Sequence, residues 1–315
     1  MKKKIYTLII IMLVIIAATV IALNVFSEDD EKEIQGGENI SLVTSFYPVY
    51  IIASNLGLDI TEIQLSSLTD FSSGCPHDYQ LTTNNMKLLE DGDVFVMNGG
   101  GMEGFIGDVV AAYPDLYIID TSKDIDMLES QEHEGEPNPH IWLDPDRYTK
   151  QIVNVRDGLI SYIEEHKTGE VWQDAIAKVN GNADKYIDQV RGLNEKYNEL
   201  VDKKTSGQKK VVAFHDSFAY LADRIGFDVV HTIEVEGDKS LSASEIAQVI
   251  ELINEENIPY LFTELQFGNS ISDRIEEETH AQIFIIDSAV TGDGSTGSYI
   301  DAMEDNLLTL KQAID

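Results

Sequence analysis

Between residues 170 and 203 the chain places apolar side chains at Ile176, Val179, Ala183, Ile187, Val190, Leu193, Tyr197 and Leu200, at steps of three and four. That period marks one face of an α-helix. Roughly 35 helical residues rising ~1.5 Å each reach ~50 Å, more than one small domain needs. Asn180-Gly181 is the weak point inside the run. On either side the sequence alternates short apolar runs with amphipathic ones, so the long segment reads as a rigid strut between two α/β halves.

The first half runs from Ile40–Thr44 (strand) through 49–56 (helix after Pro48), 60–65 (strand), 82–89 (helix), 93–97 (strand), 102–113 (helix) and 116–119 (strand). Residues 122–137 are acidic and aperiodic and read as an exposed loop, followed by a helix over 146–165. The second half repeats the rhythm, with strands over 210–214, 228–232, 259–263 and 283–286. Helices over 217–225, 243–254, 270–278 and 298–313 separate and follow them. Repeated β-α units imply mainly parallel sheets with helices on both faces. The expected fold is α/β, with two doubly wound lobes joined by a single long backbone helix. Residues 40–165 form the first lobe, 166–205 the linking helix and 206–315 the second lobe.

Residues 1–27 lie outside that fold. Lys2, Lys3 and Lys4 precede an apolar, charge-free run from Ile5 to Phe26, which fits a signal sequence or an N-terminal membrane anchor. The lysines mark the cytoplasmic side, placing the rest of the chain outside. Residues 28–39 read as a tether. The single cysteine, Cys75, permits no intrachain disulfide. With 56 acidic and 22 basic side chains the net charge is −34, which repels nucleic acid and anionic membrane and excludes a nucleic-acid function.

Four residues stand out by position. His140 sits in Asn138-Pro139-His140-Ile141-Trp142-Leu143-Asp144-Pro145, framed by a proline that extends Asn138 and by an N-cap aspartate with proline at the first helical position. His77 lies in the loop between the second strand and the next helix. His215 and Asp287 each follow a buried strand directly, at the carboxyl ends where open α/β sheets bind ligands. Three imidazoles and one carboxylate suit Zn²⁺, whereas Mn²⁺ favours more oxygen. Taken singly, each residue has an ordinary role: His140 packing on Trp142, His77 and His215 in loops or caps, Asp287 capping a helix or ending a strand. Cys75 reads as a partly buried free thiol, His133 and His231 as structural or auxiliary, and His166 and His280 as surface residues at helix ends.

From Ile40 to the C-terminus these motifs together resemble the metal-binding solute receptors of zinc and manganese ABC importers, the cluster A-I substrate-binding proteins of zinc type. The resemblance rests on Pro76-His77-Asp78-Tyr79, residues 97–103 (MNGGGME), the octapeptide around His140, Phe214-His215-Asp216-Ser217-Phe218, residues 262–267 (FTELQF) and Ile286-Asp287. It implies two lobes on one backbone helix, with the metal held between them by His77, His140, His215 and Asp287. A histidine at position 215, where manganese and iron receptors commonly carry glutamate, is similar to the zinc branch. The segment Ser130–Asn138 is short and holds only His133, unlike the histidine-rich loop of many relatives. Gln80 and Cys75 are unusual for the family, and no lipid-attachment cysteine is present near the N-terminus.

The resemblance implies capture of Zn(II) outside the membrane and delivery to the transmembrane subunit of an ABC permease, by a monomer touching the membrane only through its N-terminal segment. The alternatives are a manganese or iron receptor of the same class, with Mn(II) as ligand, and a metal-stabilised adhesin. A zinc hydrolase is disfavoured, because four protein ligands close the site and no His-Glu-x-x-His pair is present.

Overall fold

The computed structural model describes residues 39–314 apart from 75, 76, 78, 134, 203–208, 234–241 and 265–268. The expected signal or anchor, the tether, Cys75 and Leu265 to Phe267 lie outside the described residues.

The first sheet is built from β1 (Ile40–Thr44), β2 (Ile63–Ser67), β3 (Val94–Met97) and β4 (Tyr117–Asp120), in the order β2-β1-β3-β4. Every pairing in it is parallel. Parallel neighbours require crossovers, supplied by α1 (Tyr47–Leu56), α2 (Thr83–Glu90) and α3 (Ile106–Ala112). The second sheet repeats the plan with β5 (Lys209–Ala213), β6 (Phe227–Thr232), β7 (Tyr260–Thr263) and β8 (Gln282–Ile285), in the order β6-β5-β7-β8, again all parallel. Its helices are α6 (Ala219–Ile225), α7 (Ala243–Glu256), α8 (Asn269–Glu278) and α9 (Ser298–Ile314). Between the sheets run α4 (Pro145–His166) and the 33-residue α5 (Glu170–Asp202). Among the described residues no helix is long and apolar enough to cross a membrane.

α5 continues through Asn180-Gly181 without a break, and a Cβ at Gly181 would meet nothing within 4 Å. Its buried seam is Trp172, Ala175, Val179, Ala183, Tyr186, Val190, Leu193, Tyr197 and Leu200, each at most 2% exposed. Every step along it is three or four residues, the spacing that turns one face of an α-helix to the core. Ile176, expected in the seam, is only partly buried against it. The core around this seam contains Leu42, Ile52 and Val96 of the first lobe together with Val211, Phe262 and Leu310 of the second. Polar contacts follow the same division. Asn182 donates to the carbonyls of Leu56 and Leu58 at 3.1 and 2.8 Å, while the Tyr197 hydroxyl donates to Met303 O at 2.8 Å. Arg224 reaches Asn194 and Asn198 from α6. Residues Glu38–Asp315 accordingly form one compact unit.

Two elements depart from expectation. The second strand lies at 63–67 rather than 60–65, because the chain turns at Asp59 (φ 59°) and Ile60 is buried by that turn. The helix expected from 102 begins at Ile106, because Glu103 turns its carboxylate back onto the amides of Asn98 and Gly99, at 2.8 and 3.0 Å.

Helix α4 lies so close to β4 that a Cβ on Gly158 would sit 2.9 Å from two carbons of Ile119. A Gly158→Val substitution is expected to reduce unfolding free energy by about 1–3 kcal/mol through overpacking. Urea denaturation checks this, and an unchanged midpoint would contradict the close approach.

Candidate metal centre

Each candidate histidine reaches the crevice by a different local device. The loop after β2 brings His77. It is tied down by Tyr79, whose hydroxyl meets Leu68 O at 3.1 Å and Asn85 Oδ1 at 2.9 Å, and by the reciprocal capping of Thr82 and Asn85 at the start of α2. His140 closes the segment after β4. There Asn98 Nδ2 donates to Pro139 O at 2.9 Å, and Gln151 Nε2 holds Asn98 Oδ1 at 3.0 Å. Residues 98–103, conspicuous in sequence, are therefore a buttress for the peptide before His140. Gly99 is obligatory in it: φ is +80°, and a Cβ would lie 1.9 Å from Asp120 Oδ1. The Glu103 carboxyl inside this turn is pushed up to about 7 by burial, against hydrogen bonds from the amides of Asn98 and Gly99.

His215 follows β5 in extended conformation (φ −162°) and caps a short 3-10 turn, its Nδ1 accepting from Ser217 N at 3.1 Å. The ordinary capping role and a place in the cluster thus coexist. The same holds for His140, whose ring lies 5.2 Å from that of Trp142.

One ligand atom from each of His77, His140 and His215 lies within 4.8 Å of the others, and among the described residues this is the one such group of potential metal ligands. His77 Nε2 and His140 Nε2 are 3.0 Å apart, near the ~3.3 Å between two ligands of a tetrahedral zinc with ~2.0–2.1 Å bonds. Hydrogen bonding fixes the proton positions. His140 Nδ1 faces Asn138 Oδ1 at 2.9 Å, and an amide oxygen only accepts, so Nδ1 carries the proton and Nε2 presents its lone pair. The short His77–His140 contact then makes His77 Nε2 the donor. His215 spends its Nδ1 lone pair on Ser217, so its proton sits on Nε2. His140 is pre-set to offer Nε2, whereas His77 and His215 must exchange tautomers to do so, and for His215 that breaks the bond from Ser217 N.

Two of the three rings are also held uncharged. Burial, then the charges of His215 and His77, keep His140 well below the usual imidazole range. Burial, then His77, lower His215 to about 4. Neutral rings are the form that binds a metal.

Asp287 stands outside the group of three. It is exposed, its Oδ1 accepts from Ala289 N at 2.7 Å, and its own N–H and C=O are both held by Asn306 at 2.7 Å. Between it and His215 lies a residue that the sequence alone did not single out. Glu264 directly follows β7, by the same positional rule that marks His215 and Asp287. It accepts from Ser217 Oγ at 3.4 Å and Ser288 Oγ at 3.1 Å, so it links the His215 turn to the Asp287 turn. Burial, with the Asp287 charge adding, pushes it up to about 7. His133, His231, His166 and His280 are exposed and lie outside the cluster. The 122–137 loop is exposed at Gln131 and His133, but Ser122 is buried on Asp120, to whose Oδ1 its hydroxyl donates at 2.7 Å, and Ser130 is buried against the second lobe.

Two parallel-sheet lobes on one long helix, with three imidazoles converging between them, define a metal-binding solute receptor. The chain belongs to the ZnuA family, described as the periplasmic component A of the zinc-uptake complex, whose profile matches residues 42–313. It is a family of transport receptors and not of enzymes. The chain is 25% identical to the manganese-binding lipoprotein MntA of Halalkalibacterium halodurans over 312 residues, 98% of each chain. It is 26% identical to the zinc-binding lipoprotein AdcA of Streptococcus pneumoniae over 321 residues, covering 96% of this chain and 60% of AdcA. The crystal structure of Zn(II)-bound AdcA superposes with a TM-score of 0.74 at 25% identity, over 88% of this chain and 58% of that one.

A base whose folded-state affinity for protons is depressed stabilises the fold fully above its unfolded value near 6.5, and that stability drains as pH falls toward the folded value. Glu103 and Glu264, both raised to about 7, run the opposite way and cancel when wild type is compared with His215→Phe. The metal-free wild type is expected to lose about 3 kcal/mol relative to His215→Phe between pH 7 and pH 4, from the fall of His215 to about 4. Urea titrations across that range provide the measurement, and a pH-independent difference would show that His215 is not held neutral by the fold.

Proposed function

We propose that this chain captures Zn²⁺ outside the cytoplasmic membrane and delivers it to the transmembrane subunit of an ABC permease. The observation that carries this reading is the convergence of His77, His140 and His215, whose ligand atoms lie within 4.8 Å of one another. Three nitrogen donors suit zinc better than manganese. Asp287 supplies the fourth ligand in this reading, with its turn releasing Ala289 N as the carboxylate swings toward the metal. Manganese is the competing cargo, favoured by the likeness to a manganese-binding lipoprotein over nearly the whole chain.

The division into lobes 40–165 and 206–315 around a linking helix 166–205 belongs to the same proposal, as does a monomeric receptor anchored or exported through residues 1–27. Docking on a permease requires a surface that reports occupancy, and ligands drawn from both lobes provide one, because the metal draws the crevice together. The shared core along α5 favours a small adjustment over a wide hinge.

Competitive titration of the metal-stripped chain tests the cargo. Zinc is expected to bind at least a hundredfold more tightly than manganese, and His215→Ala to weaken zinc by at least tenfold, as loss of one of four ligands implies. Tighter manganese binding, or unchanged zinc affinity in the variant, would contradict the zinc assignment.

A further inference from the structure

The loop joining β4 to His140 folds back on itself before it reaches the crevice. Asn138 N donates to Leu128 O at 2.7 Å, and Glu129 and Pro137 form an antiparallel bridge. The closed loop then grips the second lobe around Asp216, the residue after His215. Ser130 Oγ donates to Asp216 Oδ2 at 2.8 Å, and Asp216 N donates to Glu132 Oε1 at 3.1 Å. From α6, the Tyr220 hydroxyl donates to Asn138 O at 2.6 Å and accepts from Leu128 N at 3.1 Å.

Asn138 stands at the centre of this grip with no exposed surface. Its Oδ1 accepts from both the backbone N–H of His140 at 3.0 Å and the ring Nδ1 at 2.9 Å. Its Nδ2 donates to Asp216 O at 2.9 Å. The orientation of the carboxamide is fixed by chemistry: exchanging O and N would set an N–H₂ against a backbone N–H and an oxygen against a carbonyl. A leucine fills a similar volume and supplies neither bond. An aspartate supplies only the acceptor.

We propose that Asn138 is the positioning residue of the metal centre. One carboxamide holds His140 as the Nδ1–H tautomer with Nε2 open to the metal, and ties that ring to the main chain presenting His215. The proposal rests on the reading of the three histidines as a metal site. In it the short acidic loop clasps the two lobes, so that ligands from both sides keep their spacing before the metal arrives.

The decisive experiment compares the full-length wild type with Asn138→Asp and Asn138→Leu. Imidazole ¹⁵N NMR is recorded on the metal-free proteins, followed by zinc competition and zinc-release kinetics against a chromogenic chelator. Wild-type His140 is expected to show a protonated Nδ1 and a bare Nε2. Asn138→Asp should keep that tautomer yet release zinc about tenfold faster, because Asp216 O has lost its donor. Asn138→Leu should give mixed tautomers and 10–100-fold weaker zinc binding, the usual effect of removing a partner of a metal-bound histidine. A folded Asn138→Leu chain with the wild-type tautomer and affinity overturns the proposal, and a wild-type release rate in Asn138→Asp overturns its cross-lobe half. Should Asn138→Leu not fold, Asn138→Ser, smaller and still polar, takes its place with the same expected loss of tautomer control. A wild type with the expected tautomer but no tight zinc binding would refute the cargo, and the tautomer comparison would still decide the role of Asn138.

Discussion

The whole arrangement depends on one buried seam. Nine side chains along α5 are covered from one side by the first lobe and from the other by the second, so neither lobe can turn far without exposing apolar surface. At roughly 25 cal/mol per Å² of apolar area, even a partial parting along a 33-residue helix exposes enough surface to be strongly unfavourable. The relative placement of the two sheets follows from this, and with it the meeting of loops that start on different sheets. Trp142 reinforces the junction near the crevice, with Nε1 donating to Ser288 O at 2.8 Å and its own carbonyl accepting from the Tyr299 hydroxyl at 2.7 Å.

A seam that fixes the lobes makes the histidine trio an electrostatic constraint as well as a geometric one. Rings with centroids 4.8–6.2 Å apart cannot all carry charge in a buried setting, and burial holds His140 and His215 below the usual imidazole range. In the proposed reading a divalent ion would replace the competing protonation options with one shared positive charge facing three lone pairs. The carboxyl groups near this centre follow the complementary logic. Glu103, beneath the 98–103 turn, and Glu264, against the His215 turn, are both buried and raised to about 7.

Much of this is legible in the sequence, for reasons that differ by residue. The strut is visible because an amphipathic period survives any tertiary context, and the alternating strands are visible because parallel sheets buried on both faces need continuous apolar runs. His77, His140 and His215 are found from their places after strands or before a helix, where the fold collects ligands. Asp287 satisfies the same rule, yet its carboxylate is turned onto Ala289 N, a choice made by a local turn that sequence position does not encode. Ile60 and Glu103 fall outside the regular elements expected for them, because a turn at Asp59 and a backbone-binding carboxylate compete with strand and helix locally. Asn138, Asn98 and Glu264 act through partners 41 to 78 residues away. A buried amide or carboxyl acquires its role only when the fold brings that partner to it.

The central claim is that three imidazoles, one each from the 77, 140 and 215 segments, bind the same zinc ion. X-ray absorption at the zinc edge on the zinc-loaded chain addresses it directly. The account predicts four-coordinate zinc with three imidazole nitrogens at ~2.0–2.1 Å and one oxygen at a similar distance. Five or six mainly oxygen ligands, or scattering from fewer than three imidazole rings, would contradict it.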